Sequence, residues 1–238
     1  MKPPQGAERT RYVRQMFARI AGRYDLLNRL MTFGRDRAWR TEAITHLAPQ
    51  TGQRILDAGS GTGDIALQLV QKTPGLRVIA ADVTPEMMAI GRQRPGGAQV
   101  SWVVADAQHL PFCDGAFDGV ISGYLLRNVP CVEDALAEQS RVTRQTGRIV
   151  SLDTTPPRRN LLLPFIQFYL KFIIPLLGRL VAGESEAYTY LPETTRQFLT
   201  AEALAVCMEQ AGYQVEGFVR RMFGSMAIHW GAKKPPRP

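Results

Sequence analysis

Cysteine and histidine are scarce in this chain, with three of each among 238 residues. Cys113, Cys131 and Cys207 stand far apart, form no Cys-x-x-Cys pair and match no zinc spacing. His46, His109 and His229 are equally scattered. A disulfide framework is thereby excluded and no metal site is expected. Thiols left reduced fit a cytoplasmic protein. The N-terminus is basic and polar and lacks the apolar stretch of a secretory leader. Aromatic residues make up only 8% and do not alternate with basic ones as in a base-stacking platform, so no nucleic-acid partner is expected. Internal repeats and low-complexity segments are missing as well.

Acidic residues are outnumbered, 21 against 29 basic, leaving a net charge of +8. Arg9, Arg11, Arg14, Arg19, Arg23, Arg29, Arg35, Arg37 and Arg40 crowd the first 40 residues. Two readings stand: a solvated basic helical face, or attraction to anionic lipid at the inner face of the cell membrane. An unbroken apolar run is also lacking. Residues 161–182 are about long enough to span a bilayer. However, Pro164 and Pro175 interrupt the run and Lys171 sits in its middle, where a charge is costly. A membrane span, a helical cover on the sheet, and a cover that also lines a greasy channel or touches the membrane all remain open.

What is present begins with Arg54-Ile-Leu-Asp57-Ala-Gly59-Ser-Gly61-Thr62-Gly63-Asp64. A short apolar strand ends in a carboxylate, alternate glycines follow, and Ile65, Ala66, Leu67, Leu69 and Val70 open an amphipathic helix. Glycines without Cβ let a ligand lie against the backbone, and amides at the helix start are expected to face it. A dinucleotide fingerprint G-x-G-x-x-G/A fails at Asp64 when counted from Gly59 and passes weakly at Ala66 when counted from Gly61. Asp57 to Gly63 fits throughout D/E-x-G-x-G-x-G, and so resembles the glycine motif of S-adenosylmethionine-dependent methyltransferases. A carboxylate there suits a cationic amino-acid group and would repel a pyrophosphate.

Two further steps follow in order. Arg77-Val-Ile-Ala-Ala-Asp82 ends a second strand in an acid placed to accept hydrogen bonds from ribose hydroxyls. Trp102-Val-Val-Ala-Asp106-Ala107 ends a third near the adenine position, and Phe117-Asp118 opens a fourth. The whole reads as an α/β chain. Two or three helices form a cap over residues 8–47. A cofactor-binding core covers 54–153, with strands near 54–58, 76–81, 100–104, 117–122 and 147–153 and a helix near 132–143. A helical cover spans 154–199. A helix at 200–211 and a strand hairpin at 213–232 turned at Phe223-Gly224 close the chain, with Thr200 and Gly212 as caps. The expected sheet is doubly wound and seven-stranded, with the last strand antiparallel: a single class I methyltransferase domain.

More specific runs surround this core. Tyr24-Asp25-Leu-Leu-Asn28, continuing through Phe33-Gly34 to Arg37-Ala-Trp39-Arg40, resembles the N-terminal signature of the menaquinone/ubiquinone C-methyltransferase family (UbiE/MenG type). Leu126-Arg127-Asn128-Val129, the run Arg141 to Val150 and Tyr188-Thr-Tyr190-Leu191 are similar to further steps of that family. Asp36 stands where the family has histidine, and Gln145-Thr146-Gly147 lacks the usual proline and one glycine. A cofactor-contacting serine of relatives aligns with Gly123; its neighbour Ser122 is the candidate here, although strand alternation points it the other way.

The resemblance implies transfer of a methyl group from S-adenosylmethionine to a ring carbon of a reduced, prenylated quinone precursor. Demethylmenaquinol is the first expectation and a ubiquinol precursor the second. Asp57, Gly59, Gly61, Thr62, Asp82, Asp106, Ala107 and Ser122 are expected to hold the cofactor. The attacking carbon gains electron density as a neighbouring phenol, with pKa about 10, loses its proton. Arg127 supplies positive charge and Asn128 orients the ring oxygen, while Tyr24, Tyr188 and Tyr190 line the ring pocket. Against these stand an Arg127 paired to a carboxylate, an Asn128 that caps its turn, and core tyrosines. His109 is a second candidate base. Rival readings are a methyltransferase for another lipid, a small phenol or RNA, and a non-catalytic scaffold of a membrane-associated complex. Peripheral contact with an anionic membrane is expected, and a homodimer stays open.

Overall fold

The computed structural model describes residues 6–157, 168–173 and 186–235. Seven strands form one sheet: β1 (Arg54–Ala58), β2 (Arg77–Asp82), β3 (Val100–Val104), β4 (Phe117–Gly123), β5 (Thr143–Thr154), β6 (Tyr213–Arg221) and β7 (Met226–Lys233). Their order is β3-β2-β1-β4-β5-β7-β6. Pairing is parallel from β3 to β5, and β7 runs antiparallel to both neighbours. The direction of winding reverses between β1 and β4, and such a switch point opens a crevice at the strand C-termini.

Side-chain alternation along each strand feeds two layers. Ile55, Val78, Ala80, Ile121 and Val150 pack on one face with Ile65, Leu69 and Val70 of α3 (Asp64–Lys72) and with Trp39, Ala43 and Leu47 of α2 (Asp36–Leu47). On the other face, Leu56, Ala58, Ala81 and Val120 meet Leu110, Phe117 and Val142. Ala135 and Leu136 of α5 (Val132–Val142) extend that layer with Ile149 and Tyr213.

The cap consists of two helices, α1 (Gly6–Met31) and α2. Val13, Met16, Ile20, Leu27 and Met31 form the buried stripe of α1, at the three- and four-residue spacing of one helix face. The chain leaves α1 through Gly34, whose φ of +73° and amide bond to Arg29 O (2.7 Å) close the turn. Helix α4 (Pro85–Gln93) links β2 to β3. Of the expected cover, 158–167 and 174–185 lie outside the described residues. Residues 168–173 carry the π-helical turn Tyr169–Ile173, and α6 spans Glu186–Gln197. In α7 (Ala201–Gln210), Thr200 Oγ1 accepts from the Ala203 amide at 3.2 Å, and Gly212 follows at φ +94°. The β6–β7 turn passes through Met222, Phe223 and Gly224, all left-handed.

One difference from expectation lies at β5, which begins at Thr143 rather than near residue 147. Thr143 pairs with Phe117 and Arg148 with Gly119, and a bulge absorbs the residues between. Thr146, in the stretch that lacks the family's proline and glycine, sits in that bulge at φ +61°. A β-branched residue is strained in the left-handed region. Thr146→Gly is expected to raise stability by about 0.5–1 kcal/mol, the relief of that strain less the chain entropy of glycine. Urea unfolding measures it.

Candidate active site

Gly59, Gly61 and Gly63 all take positive φ, at 68°, 55° and 78°. A Cβ on Gly59 would meet Leu125 Cδ1 at 2.6 Å, and one on Gly63 would meet Trp102 at 2.3 Å. The turn is thus tight on its protein side. Its amides differ from expectation. Gly59 and Ser60 donate to Ala81 O (2.8 and 3.0 Å), Gly61 to Asp82 Oδ2 (2.8 Å) and Gly63 to Ser60 O (2.8 Å). These four amides hold the turn in shape instead of facing a ligand, because a strand-to-helix turn this tight must satisfy its own backbone.

Asp57 is 1% exposed. Its Oδ2 accepts from the Ala66 amide at 3.0 Å, while Oδ1 is buried with no partner. Burial pushes this carboxyl up to about 8, and the nearby Asp82 adds to the effect. An orphaned acid oxygen at the mouth of β1 is a socket for a cationic group. Asp82 accepts from Gly61 N with one oxygen and from Thr84 N with the other, both at 2.8 Å. Each oxygen keeps a lone pair for a ribose hydroxyl.

Asp57 and Asp82 belong to two adjoining compartments. Asp82, Val83, Asp106, Ala107, Gly59, Leu125 and Asn128 line the first, under Thr10 and Val13 of α1. Asp57, Gly59, Gly61, Thr62, Gly123, Tyr124, Arg40 and Tyr24 line the second. The residues present fit a nucleoside at one end and an amino-acid group at the other. Ser122 is not among these walls. Its Oγ is buried without a partner, and the alternation of β4 puts Gly123 at the wall instead. Thr62 is 2% exposed, and its hydroxyl donates to Asp25 Oδ1 at 2.7 Å, tying α1 to the glycine turn. Arg94 reinforces that tie through Asp25 Oδ2 (3.3 Å), Asp64 Oδ1 (2.6 Å) and Thr62 O (3.0 Å).

A third compartment opens beside the first. Met16, Phe17, Ile20, Leu27, Met31 and Tyr190 make it apolar, and Tyr24, Asn28, Arg127 and Asn128 give it polar points. Tyr24 also lines the amino-acid compartment, and Asn128 the nucleoside compartment. Arg127 Nε lies 3.3 Å from Asp153 Oδ1, and its amide donates to Asp153 Oδ2 at 3.2 Å. Asn128 Nδ2 donates to Tyr124 O at 2.8 Å. The carboxylate pair and the turn cap are therefore both present. They leave Arg127 Nη1 and Asn128 Oδ1 buried and unpartnered. Burial raises the pKa of Tyr24 against the opposing charge of Arg127, so its hydroxyl stays protonated at neutral pH. Tyr190 packs its ring 5.7 Å from Tyr12. The side chain of Tyr188 lies outside the described residues. His109 is exposed and borders an outer groove with Asp106 and Cys131, apart from the apolar compartment.

Asp25, Arg40, Arg94 and Tyr124 escaped the sequence reading. The basic N-terminal stretch that includes Arg40 is expected to be solvated or to face lipid, yet Arg40 is 4% exposed, and its Nη1 bonds Asp36 Oδ2 at 2.5 Å. Acid and base four apart on one helix face were the available signal. Asp36 is thus the ion-pair partner of Arg40.

This geometry, on this sheet, defines a class I S-adenosylmethionine-dependent methyltransferase. A SAM-dependent methyltransferase from Thermotoga maritima has the same fold, with a TM-score of 0.66 at 20% identity, covering 92% of this chain and 99% of that one. The model of the ubiE/COQ5 methyltransferase family matches residues 5–233, and the chain belongs to that family. It is 42% identical to the ubiquinone/menaquinone biosynthesis C-methyltransferase UbiE of Desulfotalea psychrophila, over 93% of this chain and 90% of that protein. It is 43% identical to the demethylmenaquinone methyltransferase of Thermus thermophilus, over 91% and 99% respectively.

A cation docked on Asp57 favours its ionised form, so below about pH 8 binding of the cofactor must release a proton. Affinity for S-adenosylhomocysteine is expected to rise with pH, by up to about tenfold per unit, and to level off above about 8. Asp57→Asn is expected to weaken binding and flatten this profile. Calorimetry in buffers of different ionisation enthalpy reads the proton directly.

Proposed function

We propose that this enzyme methylates a ring carbon of a reduced, prenylated quinone precursor, a demethylmenaquinol first and a ubiquinol precursor second. The observation that carries the reading is the pair of orphaned polar atoms, Arg127 Nη1 and Asn128 Oδ1, in an apolar compartment that adjoins the cofactor cleft. The names of the relatives support the same substrate class.

When bound, S-adenosylmethionine supplies a methyl group already activated on a sulfonium. The protein's part is alignment, charge and exclusion of water. Asn128 Oδ1 accepts the hydrogen bond of a ring hydroxyl. Arg127 Nη1 donates to the same oxygen and, as a fixed cation, favours its deprotonated form. As the hydroxyl's proton passes out to solvent, electron density rises at the adjacent ring carbon; that carbon would take the methyl as the carbon–sulfur bond breaks and the sulfur leaves as a neutral thioether, and loss of the carbon's own proton to solvent restores the aromatic ring. Asp153, 1% exposed, and Tyr124 O hold the two side chains in place. Tyr24 lines both the amino-acid and the apolar compartment.

The prenyl tail needs a hydrocarbon path. Leu26, Leu30 and Phe33 are 51%, 39% and 75% exposed, and Phe168 and Phe172 are exposed too. Phe33 stacks on Tyr169, whose hydroxyl donates to Met31 O at 2.8 Å beside the apolar compartment. Arg23, Arg29, Arg35 and Arg37, on the cap helices or the turn between them, are exposed as well. Basic residues together with exposed apolar side chains suit the headgroups and acyl boundary of an anionic bilayer. Among the described residues no helix is long and apolar enough to cross a membrane, and the contact proposed is peripheral.

Label from S-adenosylmethionine should appear on reduced demethylmenaquinol in liposomes. Label on RNA alone would overturn the reading, and cofactor binding without transfer to any quinol would favour a scaffold. Arg127→Lys keeps the charge beside Asp153 but loses the fork. It is expected to lower kcat by about 10- to 100-fold, with S-adenosylhomocysteine affinity unchanged. Phe33→Ser is expected to reduce co-sedimentation with anionic liposomes.

A further inference from the structure

Tyr124 follows β4 directly and is held at φ +61°, a conformation that costs a bulky residue energy and persists where the surroundings impose it. Its amide donates to Leu152 O at 2.7 Å, and its carbonyl accepts from Asn128. The ring lies between two guanidinium groups, with Arg40 Cζ 5.2 Å and Arg127 Cζ 5.7 Å from its centroid. Its hydroxyl is buried without a partner. The wall it forms also contains Arg40, Tyr24, Asp57 and Gly61. Arg40 spends Nη1 on Asp36, with Asp64 Oδ2 at 3.5 Å.

The geometry points to a carboxylate subsite formed by Arg40 and Tyr124, which holds the amino-acid end of S-adenosylmethionine opposite Asp57. The inference rests on the assignment of that cofactor to this cleft. An α-amino acid presents an ammonium and a carboxylate on one carbon. The compartment offers one orphaned acid oxygen, on Asp57, and one orphaned hydroxyl beside a guanidinium, on Tyr124 and Arg40. The ammonium pairs with the first; the carboxylate accepts from the second two. Asp36 and Asp64 limit how far Arg40 can move and compete for its charge, so the hydroxyl of Tyr124 supplies a donor that no neighbouring acid claims. Because Tyr124 also touches Arg127 and anchors Asn128, the same ring sets the distance between the bound cofactor and the substrate's polar contacts.

The test separates the ends of the ligand by calorimetry. S-adenosylhomocysteine carries both charged groups, decarboxylated S-adenosylhomocysteine lacks only the carboxylate, and 5′-methylthioadenosine lacks the whole amino-acid end. Tyr124→Phe removes one oxygen, and Arg40→Lys keeps the charge that balances Asp36. Each variant is expected to weaken S-adenosylhomocysteine by about tenfold, and to leave the other two ligands within about twofold, since neither has a carboxylate to lose. Equal weakening of all three ligands would mean a purely structural role and overturn the subsite. Unchanged S-adenosylhomocysteine affinity in both variants would overturn it too. Failure of the wild-type chain to bind any of the three would instead overturn the cofactor assignment on which it rests.

Discussion

The turn from Asp57 to Gly63 is the constraint on which the rest of the site depends. It has to satisfy its own backbone, so its amides go to Ala81, Asp82 and Ser60, and that binds β1 to β2 at their C-terminal ends. Having spent its donors inwardly, the turn offers a ligand shape and one unpaired acid oxygen. Binding of a cationic amino-acid group then depends on a buried carboxylate whose ionisation burial resists.

The second constraint is the grip of α1 on this turn. Thr62, Asp25, Arg94 and Asp64 form a chain of hydrogen bonds from the cap to the glycine loop. Polar groups that shut α1 against the sheet leave its apolar stripe as the wall of the substrate compartment. Cofactor and substrate compartments thereby share walls: Tyr24 serves both, Asn128 serves both, and Tyr124 backs Arg127. Exclusion of water from the reacting atoms follows from a helix laid across two cavities.

Arg127 combines a structural contact with the chemical role proposed for it. Its ion pair with Asp153 and the bond from its backbone amide anchor the guanidinium in a buried place, where a lone cation would be costly. Nη1 is thereby held in place without a hydrogen-bond partner of its own. Asn128 behaves alike, with one end capping its turn and the other bare.

Local patterns were legible in the chain. The strand ending at Asp57, the glycines after it, Asp82 and the helix cap at Thr200 all depend on residues close in sequence, so periodicity and turn chemistry reveal them. The parallel, doubly wound sheet followed from the alternation of strand and helix. The use of the turn amides was not legible, since Ala81 O and Asp82 reach them from another strand. Nor was the exchange of Gly123 for Ser122 at the wall beyond what strand alternation suggested. Arg40 read as one more surface arginine until packing buried it against Asp36 and Tyr124, and the carboxyl of Asp25 acquired meaning only when α1 crossed the loop. Sequence alone determined the glycine turn, its acid and the family signatures, because each is written in contiguous residues. Tertiary structure decided which polar atoms remain unpaired, since that depends on every neighbour the fold brings within hydrogen-bond reach.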